Sequence, residues 1–355
     1  MRNILGIAST PYHLMMLLFI RENLSLNGEN PRFDLLLTDK TPSFDDLYKS
    51  GRPKECFDQV YFADSRLIKN PYSGALTQLY ESFIHNPEYG RMFTSDTPDP
   101  GIYSDIFFAS PGMPDEVSKQ VIKSAIKANR QVCFHRYEDG FASYTKPPVC
   151  SVTSDMGRRF YRLLMRYDIK EKENELYMLE PSLAQPEVAD TAATGFKLCT
   201  ITKNEEIIKI VTEKIKILFD HRPERIPADY IFLGQSTKNV INNPDTYLSL
   251  IKHIVEKTGY DRFCMKPHPR GVHDRFDDSL TYYEDPAPFE ICYTDGQMET
   301  KTLISYYSTA CVSGKLLFNS KCRIIFLYPL AGDSFNEKSD YEEYFEKLQK
   351  LYDNI

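Results

Sequence analysis

The chain has 355 residues, enough for two domains of ordinary size, each with its own core. Its formal net charge of −7 argues against a dedicated nucleic-acid binder, which needs a basic footprint, but leaves room for a local basic pocket that takes a small anion. Hydrophobic residues at 42% and charged residues at 26% are ordinary globular usage and argue against disorder.

In chain order, Ile4–Ala8 reads as a short buried strand that ends at Ser9-Thr10-Pro11, and a helical pattern follows through Leu14, Leu17 and Leu18 towards Leu24. The apolar stretch is broken by Ser9, Thr10, Pro11 and His13, and no small-residue cleavage site follows, so it does not read as a signal peptide. Strands are expected at Phe33–Thr38, Gln59–Ala63, Ile102–Ala109 and Gln131–His135, with a helix at Leu76–Ile84. Pro114-Asp115-Glu116 opens another helix, with acidic residues in its first turn and apolar spacing at Val117, Val121, Ile122 and Ala125. Residues 182–195 are rich in small side chains without a long apolar period, and the linker between two domains, 1–190 and 191–355, is placed there. Beyond it come a helix Glu205–Leu218, a strand Tyr230–Leu233, a helix Thr246–Lys257 and a strand Arg262–Met265. A helix from Ser308-Thr309 to Phe318, a strand Arg323–Leu327 and a last helix Tyr341–Leu351 complete the chain. Strands separated by helices imply β-α-β crossovers and mostly parallel sheets.

The eight cysteines are scattered singly, mostly in apolar runs, with no C-x-x-C pair, which suits reduced thiols and argues against a zinc ribbon or a disulfide scaffold. No run reaches the 18 or more apolar residues of a membrane span, and the chain reads as soluble and intracellular. There is no D-x-D pair, no P-loop, no G-x-G-x-x-G after the first strand and no H-E-x-x-H, so neither a metal nor a nicotinamide cofactor has an evident home.

Ligands of open parallel sheets bind beyond the carboxyl ends of the strands. Five polar clusters fall there: Ser9-Thr10, Glu138-Asp139-Gly140, Gly234-Gln235-Ser236, His268-Pro269 and Ser308-Thr309. A carboxylate of the Glu138-Asp139 pair, pushed into a cleft, suits a general base, and Gly140 permits a tight turn or a close backbone approach. In Lys266-Pro267-His268-Pro269-Arg270 two prolines fix the direction of one histidine, with two cations beside it. Ser308 and Thr309, at a helix start, can hold a phosphate or simply cap the helix. Glu290, with Phe289 beneath it, is a candidate acceptor for a ribose diol or a base. The segment from Arg158 to Arg166 reads as a basic amphipathic helix that either touches an anionic membrane surface or glycolipid, or is a solvated face. His13 and His135 read as structural, or as supports of a catalytic group.

An acidic-acidic-Gly motif after a strand, K-x-H-P about 130 residues on, and a later Ser-Thr pair together resemble the bacterial sialyltransferases. The opening I-A-S-T-P-Y-H-L, with Leu233-Gly234-Gln235, resembles glycosyltransferase family 52, the lipooligosaccharide and capsule sialyltransferases. The resemblance implies a GT-B-like α/β fold, two Rossmann-like domains with mostly parallel sheets facing a central cleft. It implies an inverting, metal-independent transfer of sialic acid from CMP-sialic acid to a galactose-terminated surface glycan, with no cofactor. Asp139 would be the base, Glu138 its support, and His268 the group that meets the departing phosphate. Lys266, Pro269, Phe289, Glu290, Gly234 and Gln235 would bind the CMP moiety, with Ser308 and Thr309 on its phosphate. Ser9, Thr10 and Gly140 would face the donor sugar or acceptor. Thr309 stands where related families often carry a second serine. The partners implied are a CMP-sugar donor and a glycan or glycolipid acceptor, and no nucleic acid. Peripheral contact with the inner face of the plasma membrane and a homodimer stay open. Three other readings also stay open: CMP-Kdo as donor, CDP-glycerol as donor, and a non-catalytic nucleotide- or sugar-binding protein.

Overall fold

The computed structural model describes residues 2–68, 87–110, 114–147, 159, 162–163, 166–220, 223–234, 244–268, 278–285, 287–306, 308–330 and 338–352. The expected helix Leu76–Ile84, together with Gln235, Ser236, Pro269, Arg270 and most of the 158–166 segment, lies outside the described residues. The chain divides into two compact units, Met1–Asp220 and His221–Ile355.

The first unit is built on a seven-stranded, wholly parallel sheet in the order β3-β2-β1-β4-β5-β6-β7. The strands are β1 (Asn3–Ala8), β2 (Arg32–Thr38), β3 (Val60–Ala63), β4 (Asp105–Ala109), β5 (Cys133–Tyr137), β6 (Glu173–Met178) and β7 (Lys197–Thr200). The central strands are covered on both faces, which is why they read as continuous apolar runs rather than alternating ones. Thr10 caps the helix Pro11–Leu26 by accepting from the His13 N–H, and Pro11 supplies a preset first turn. Leu14 through Ile20 are all buried, so this helix is a core element. On it packs the helix Glu205–Phe219, which is amphipathic and buries Ile207, Val211, Ile215 and Leu218.

This last contact explains where the units divide. The 182–195 segment carries short helical turns, and the chain then returns to pair β7 with β6. The division therefore falls after Asp220, about which the backbone turns in a left-handed conformation, and not near 190.

The second unit holds a five-stranded parallel sheet in the order β10-β9-β8-β11-β12. Its strands are β8 (Tyr230–Leu233), β9 (Phe263–Lys266), β10 (Thr281–Tyr282), β11 (Thr302–Ser305) and β12 (Arg323–Phe326). Helices Pro244–Thr258, Thr309–Phe318 and Lys338–Leu351 accompany it. Gly314 lies against the face of Tyr293: a Cβ there would sit 2.0 Å from the ring.

In each sheet the strand order reverses direction once, between β1 and β4 in the first and between β8 and β11 in the second. Such switch points open a crevice at the carboxyl ends of the strands. Ser9-Thr10 follows β1, Glu138-Asp139-Gly140 follows β5, Gly234 follows β8, His268 follows β9 and Ser308 follows β11.

Among the described residues no helix is long and apolar enough to cross a membrane. The seven described cysteines are free thiols.

Candidate active site

In the first unit the site grows from the turn between β1 and the helix Pro11–Leu26. The Ser9 N–H donates to His13 Nδ1 at 3.2 Å, and the His13 ring meets Tyr137 edge-on, with centroids 5.5 Å apart. His13 Nε2 lies 2.6 Å from Asp139 Oδ1. His13 is buried, whereas the Asp139 side chain is 46% exposed. The Asp139 N–H donates to Ser143 Oγ at 2.7 Å, and that hydroxyl donates to the Ser110 carbonyl at 3.1 Å. Gly140 then takes φ +72°, a left-handed conformation that a side chain disfavours. An exposed carboxylate is thus held at both its backbone and one of its oxygens.

Ser9 and Thr10 are engaged within the protein. Ser9 Oγ donates to Asp115 Oδ2 at 2.9 Å, and the Ser9 carbonyl accepts from Thr41 Oγ1 at 2.9 Å. Asp115 caps the helix Glu116–Ala128 by accepting from the Ser118 N–H at 2.8 Å, and Lys40 Nζ lies 3.5 Å from its Oδ2. Burial works against the Asp115 charge, but Ser118, Lys40 and Ser9 together hold its carboxyl below the ordinary range. Ser9 and Thr10 therefore shape the turn that carries His13.

Glu138 is buried completely. Its carboxylate accepts from the Tyr12 and Tyr144 hydroxyls and from the Leu179 N–H at 2.8 Å. Burial pushes its carboxyl up, against the pull of those three donors. Its partners tie β5 to the first helix, to the turn Ala142–Thr145 and to the end of β6.

In the second unit three neighbouring strands, β8, β9 and β11, carry a separate set of the sequence-predicted residues. Ser305 Oγ donates to the Leu233 carbonyl at 3.0 Å and accepts from the Ser308 N–H at 3.2 Å, so one buried hydroxyl joins the ends of β8 and β11 across the switch point. The Gly234 N–H donates to the Lys266 carbonyl at 2.9 Å. A Cβ on Gly234 would meet the His268 backbone nitrogen and the Lys266 carbonyl, each at 3.3 Å. Ser308 stands at the N-cap of the helix Thr309–Phe318 without using its side chain as a cap. That helix start, with two hydroxyl residues, is favourable ground for an anion.

Lys266 Nζ donates to the Asp285 carbonyl at 2.6 Å and lies 5.1 Å from the centroid of the Tyr283 ring. Burial lowers its pKa, while Asp285, Cys292 and Glu290 oppose the shift. Glu290 is partly buried. Burial raises its carboxyl, against its own backbone N–H, the charge of Lys266 and a hydrogen bond with Ser313. Phe289 is buried and meets Tyr293 edge-on.

Lys266, His268, Glu290, Ser308, Thr309 and Gly234 thus all belong to the second unit, at or after the strand ends, while Glu138, Asp139, Gly140, Ser9 and Thr10 belong to the first. Sequence reasoning gave no site role to Ser305, Asp115, Tyr12 or Tyr144. Tyr12 lies within the I-A-S-T-P-Y-H-L motif, Ser305 and Tyr144 stand a few residues from Ser308 and Gly140, and Asp115 reads only as a helix start. Among the described residues no group of three or more His, Cys, Asp or Glu is arranged to hold a metal ion.

The class that this architecture defines is an α/β protein of the GT-B type, with two Rossmann-like units. A solved structure titled as a putative UDP-N-acetylglucosamine 2-epimerase, from Listeria monocytogenes, is similar over 92% of this chain and 79% of its own, at 8% identity and a TM-score of 0.50. The spinosyn rhamnosyltransferase SpnG covers 99% of this chain and 91% of its own, at 11% identity and a TM-score of 0.46. A UDP-GlcNAc 2-epimerase from Neisseria meningitidis, bound to UDP-GlcNAc, covers 99% and 91%, at 13% identity and a TM-score of 0.48. No protein-family model and no curated protein sequence matches the chain.

Proposed function

We propose that the protein is a glycosyltransferase using a nucleotide-sugar donor. More specifically, we propose that it moves sialic acid from CMP-sialic acid to a galactose-terminated glycan of a bacterial surface, with inversion and without a metal. The observation that carries this reading is Asp139: a half-exposed carboxylate at the end of β5, with one oxygen held by a buried histidine. The ordered motifs around Glu138-Asp139-Gly140, Lys266-Pro267-His268 and Ser308-Thr309 supply the donor class.

On this reading, Asp139 accepts the proton of the acceptor hydroxyl as that oxygen bonds to the anomeric carbon. The bond from that carbon to the phosphate oxygen breaks, and CMP departs with the electron pair. His268 and the start of the helix Thr309–Phe318, with Ser308 and Thr309, receive the charge on the leaving phosphate. A nucleoside monophosphate carries less charge than a diphosphate, so these groups suffice without a divalent cation. A single base and a single leaving-group partner are the minimum for direct inverting displacement, by analogy with inverting glycosidases. Lys266 supports the nucleotide pocket through Asp285 and Tyr283, and Glu290 offers a carboxyl to the ribose or the base.

The test is incubation with CMP-sialic acid and lactose in EDTA, with free CMP quantified by chromatography. Acceptor-dependent CMP release that vanishes with Asp139→Asn is expected. Release no greater than that of heat-killed protein, across several galactose-terminated acceptors, would overturn the reading. Competition with CMP, CDP and UDP separates a cytidine donor, whether it carries sialic acid, Kdo or glycerol, from a uridine one.

A further inference from the structure

The His13–Asp139 pair has a direction. His13 Nδ1 receives the Ser9 N–H, so in the neutral ring the proton resides on Nε2, and the Nε2–H donates to Asp139 Oδ1. Three contacts hold the imidazole in this pose: the Ser9 N–H, the edge of Tyr137 and Asp139 itself. The Ser9 amide is in turn fixed, since Ser9 Oγ is tied to Asp115 and its carbonyl accepts from Thr41. His13 Nδ1 is thus already occupied, as the acceptor of the Ser9 N–H, in a buried turn.

We infer that His13 is a positioning residue that donates from Nε2 to Asp139 and is closed to onward proton relay. The proton taken from the acceptor therefore stops on Asp139 and leaves from there to solvent. The inference rests on the reading of Asp139 as the base. His13 keeps one carboxylate oxygen in a charge-stabilising hydrogen bond, which leaves the other oxygen of this half-exposed side chain for the acceptor. The arrangement reverses the usual order of such pairs, in which the histidine faces the substrate and the carboxylate lies behind it. Here burial decides the order: His13 is 4% exposed, and the Asp139 side chain is 46% exposed.

Two measurements on the full chain test this. The first is 15N NMR of protein labelled at histidine, at pH 8, with His13→Gln used for assignment. A protonated Nε2 and an unprotonated Nδ1 on His13 are expected. A proton on Nδ1 would overturn the inference, whatever reaction the protein performs. The second is steady-state kinetics. His13→Ala is expected to lower kcat by about 10²-fold, as a misplaced catalytic group does, with donor KM changed less than twofold. His13→Gln, whose amide N–H can replace Nε2–H but cannot accept a proton, is expected to recover most of that loss. If His13→Gln is as inactive as Asp139→Asn, the proton passes to His13 and the inference falls. If His13→Ala matches the wild type, the positioning role falls. Should the wild type transfer nothing from any cytidine donor, the functional reading fails, and the NMR result still decides the direction of the pair.

Discussion

Glu138 and Asp139 are consecutive residues with opposite surroundings. Glu138 is enclosed by Tyr12, Tyr144 and the Leu179 N–H, while Asp139 reaches solvent with one oxygen on His13. One carboxylate ties three elements together and the other is available for chemistry. Asp139→Asn is therefore expected to lower kcat by about 10²- to 10⁴-fold, the usual range for losing a general base, with an unchanged melting temperature and unchanged CMP binding by calorimetry. Glu138→Gln is expected to destabilise the fold by about 1–3 kcal/mol, because its amide turns a donor towards groups that are themselves donors. The contrast is read by pairing thermal melts with turnover. The reverse pattern, with Glu138→Gln stable and inactive and Asp139→Asn unstable and active, would exchange the two roles.

Gly234 permits the close approach of β8 and β9 at the point where His268 emerges. Gly234→Ala is expected to press on the backbone at Lys266 and His268, both 3.3 Å from the new methyl group. These are main-chain atoms, and the Lys266 carbonyl at the end of β9 is already hydrogen-bonded to the Gly234 N–H, so they yield little. An activity loss of about tenfold or more is expected, since catalytic groups misplaced by less than 1 Å are costly. Donor KM and kcat are the quantities to compare, and a variant equal to the wild type in both would show that this spacing does not matter.

Gly314→Ala tests the packing of the second unit. The added methyl group would fall 2.0 Å from the Tyr293 ring, whose hydroxyl donates to the Ala310 carbonyl at 2.8 Å. Tyr293 cannot swing away without losing that bond. Overpacking of this kind costs about 1–3 kcal/mol, which denaturant titration resolves. The change is expected in the unfolding of the second unit, with Asp139 chemistry affected only through lost protein.

The strand β5 carries a second, separate charge cluster. His135 Nε2 lies 2.7 Å from Asp105 Oδ1, and its Nδ1 lies 2.9 Å from Glu175 Oε2, while Arg2 Nε donates to Asp105 at 2.9 Å. Burial opposes the His135 charge, but Asp105 and Glu175 outweigh it and raise its pKa. The hydrogen bond from His135 lowers Glu175. Asp105 is lowered despite burial, by His135 and Arg2. The histidine contribution is therefore full below about pH 6.5 and is lost as pH rises through the raised folded value. The carboxylate contributions are present above about pH 4 and are lost as pH falls through the depressed folded values. Melting temperature is expected to be highest in the mildly acidic interval and to decline on the alkaline side. In His135→Gln that alkaline decline should flatten; a slope identical to the wild type would show that His135 is not its source.

Much of the fold was legible because the apolar runs of β1, β8 and β9 end abruptly at Ser, Gly or Pro-His. That is how buried parallel strands meet their loops. β6 was not, since its first three residues, Glu173, Asn174 and Glu175, are all polar, and the two glutamates serve ion pairs. Nor was β7, an edge strand of four residues, or β10, of two. The division between units was misplaced for the same reason: β7 and the helix Glu205–Phe219 are joined to the first sheet by tertiary contacts that composition does not record.

Within each unit, the strand-end positions of Asp139 in the first and of His268 and Ser308 in the second could be read from local patterns. The separation of Glu138 from Asp139 could not, because it depends on Tyr12, Tyr144 and Leu179, which converge from distant parts of the chain. Lys266 shows the same effect: its neighbours in sequence suggest a phosphate ligand, whereas its ammonium is directed to the Asp285 carbonyl.

The central claim is that Asp139 deprotonates an acceptor hydroxyl for direct displacement of CMP. Proton NMR of the transfer product, taken early in the reaction and in EDTA, tests it most directly. The account predicts a sialylated acceptor of anomeric configuration opposite to that of the donor, formed by the wild type and absent with Asp139→Asn. A product of retained configuration, or undiminished transfer by Asp139→Asn, would contradict it.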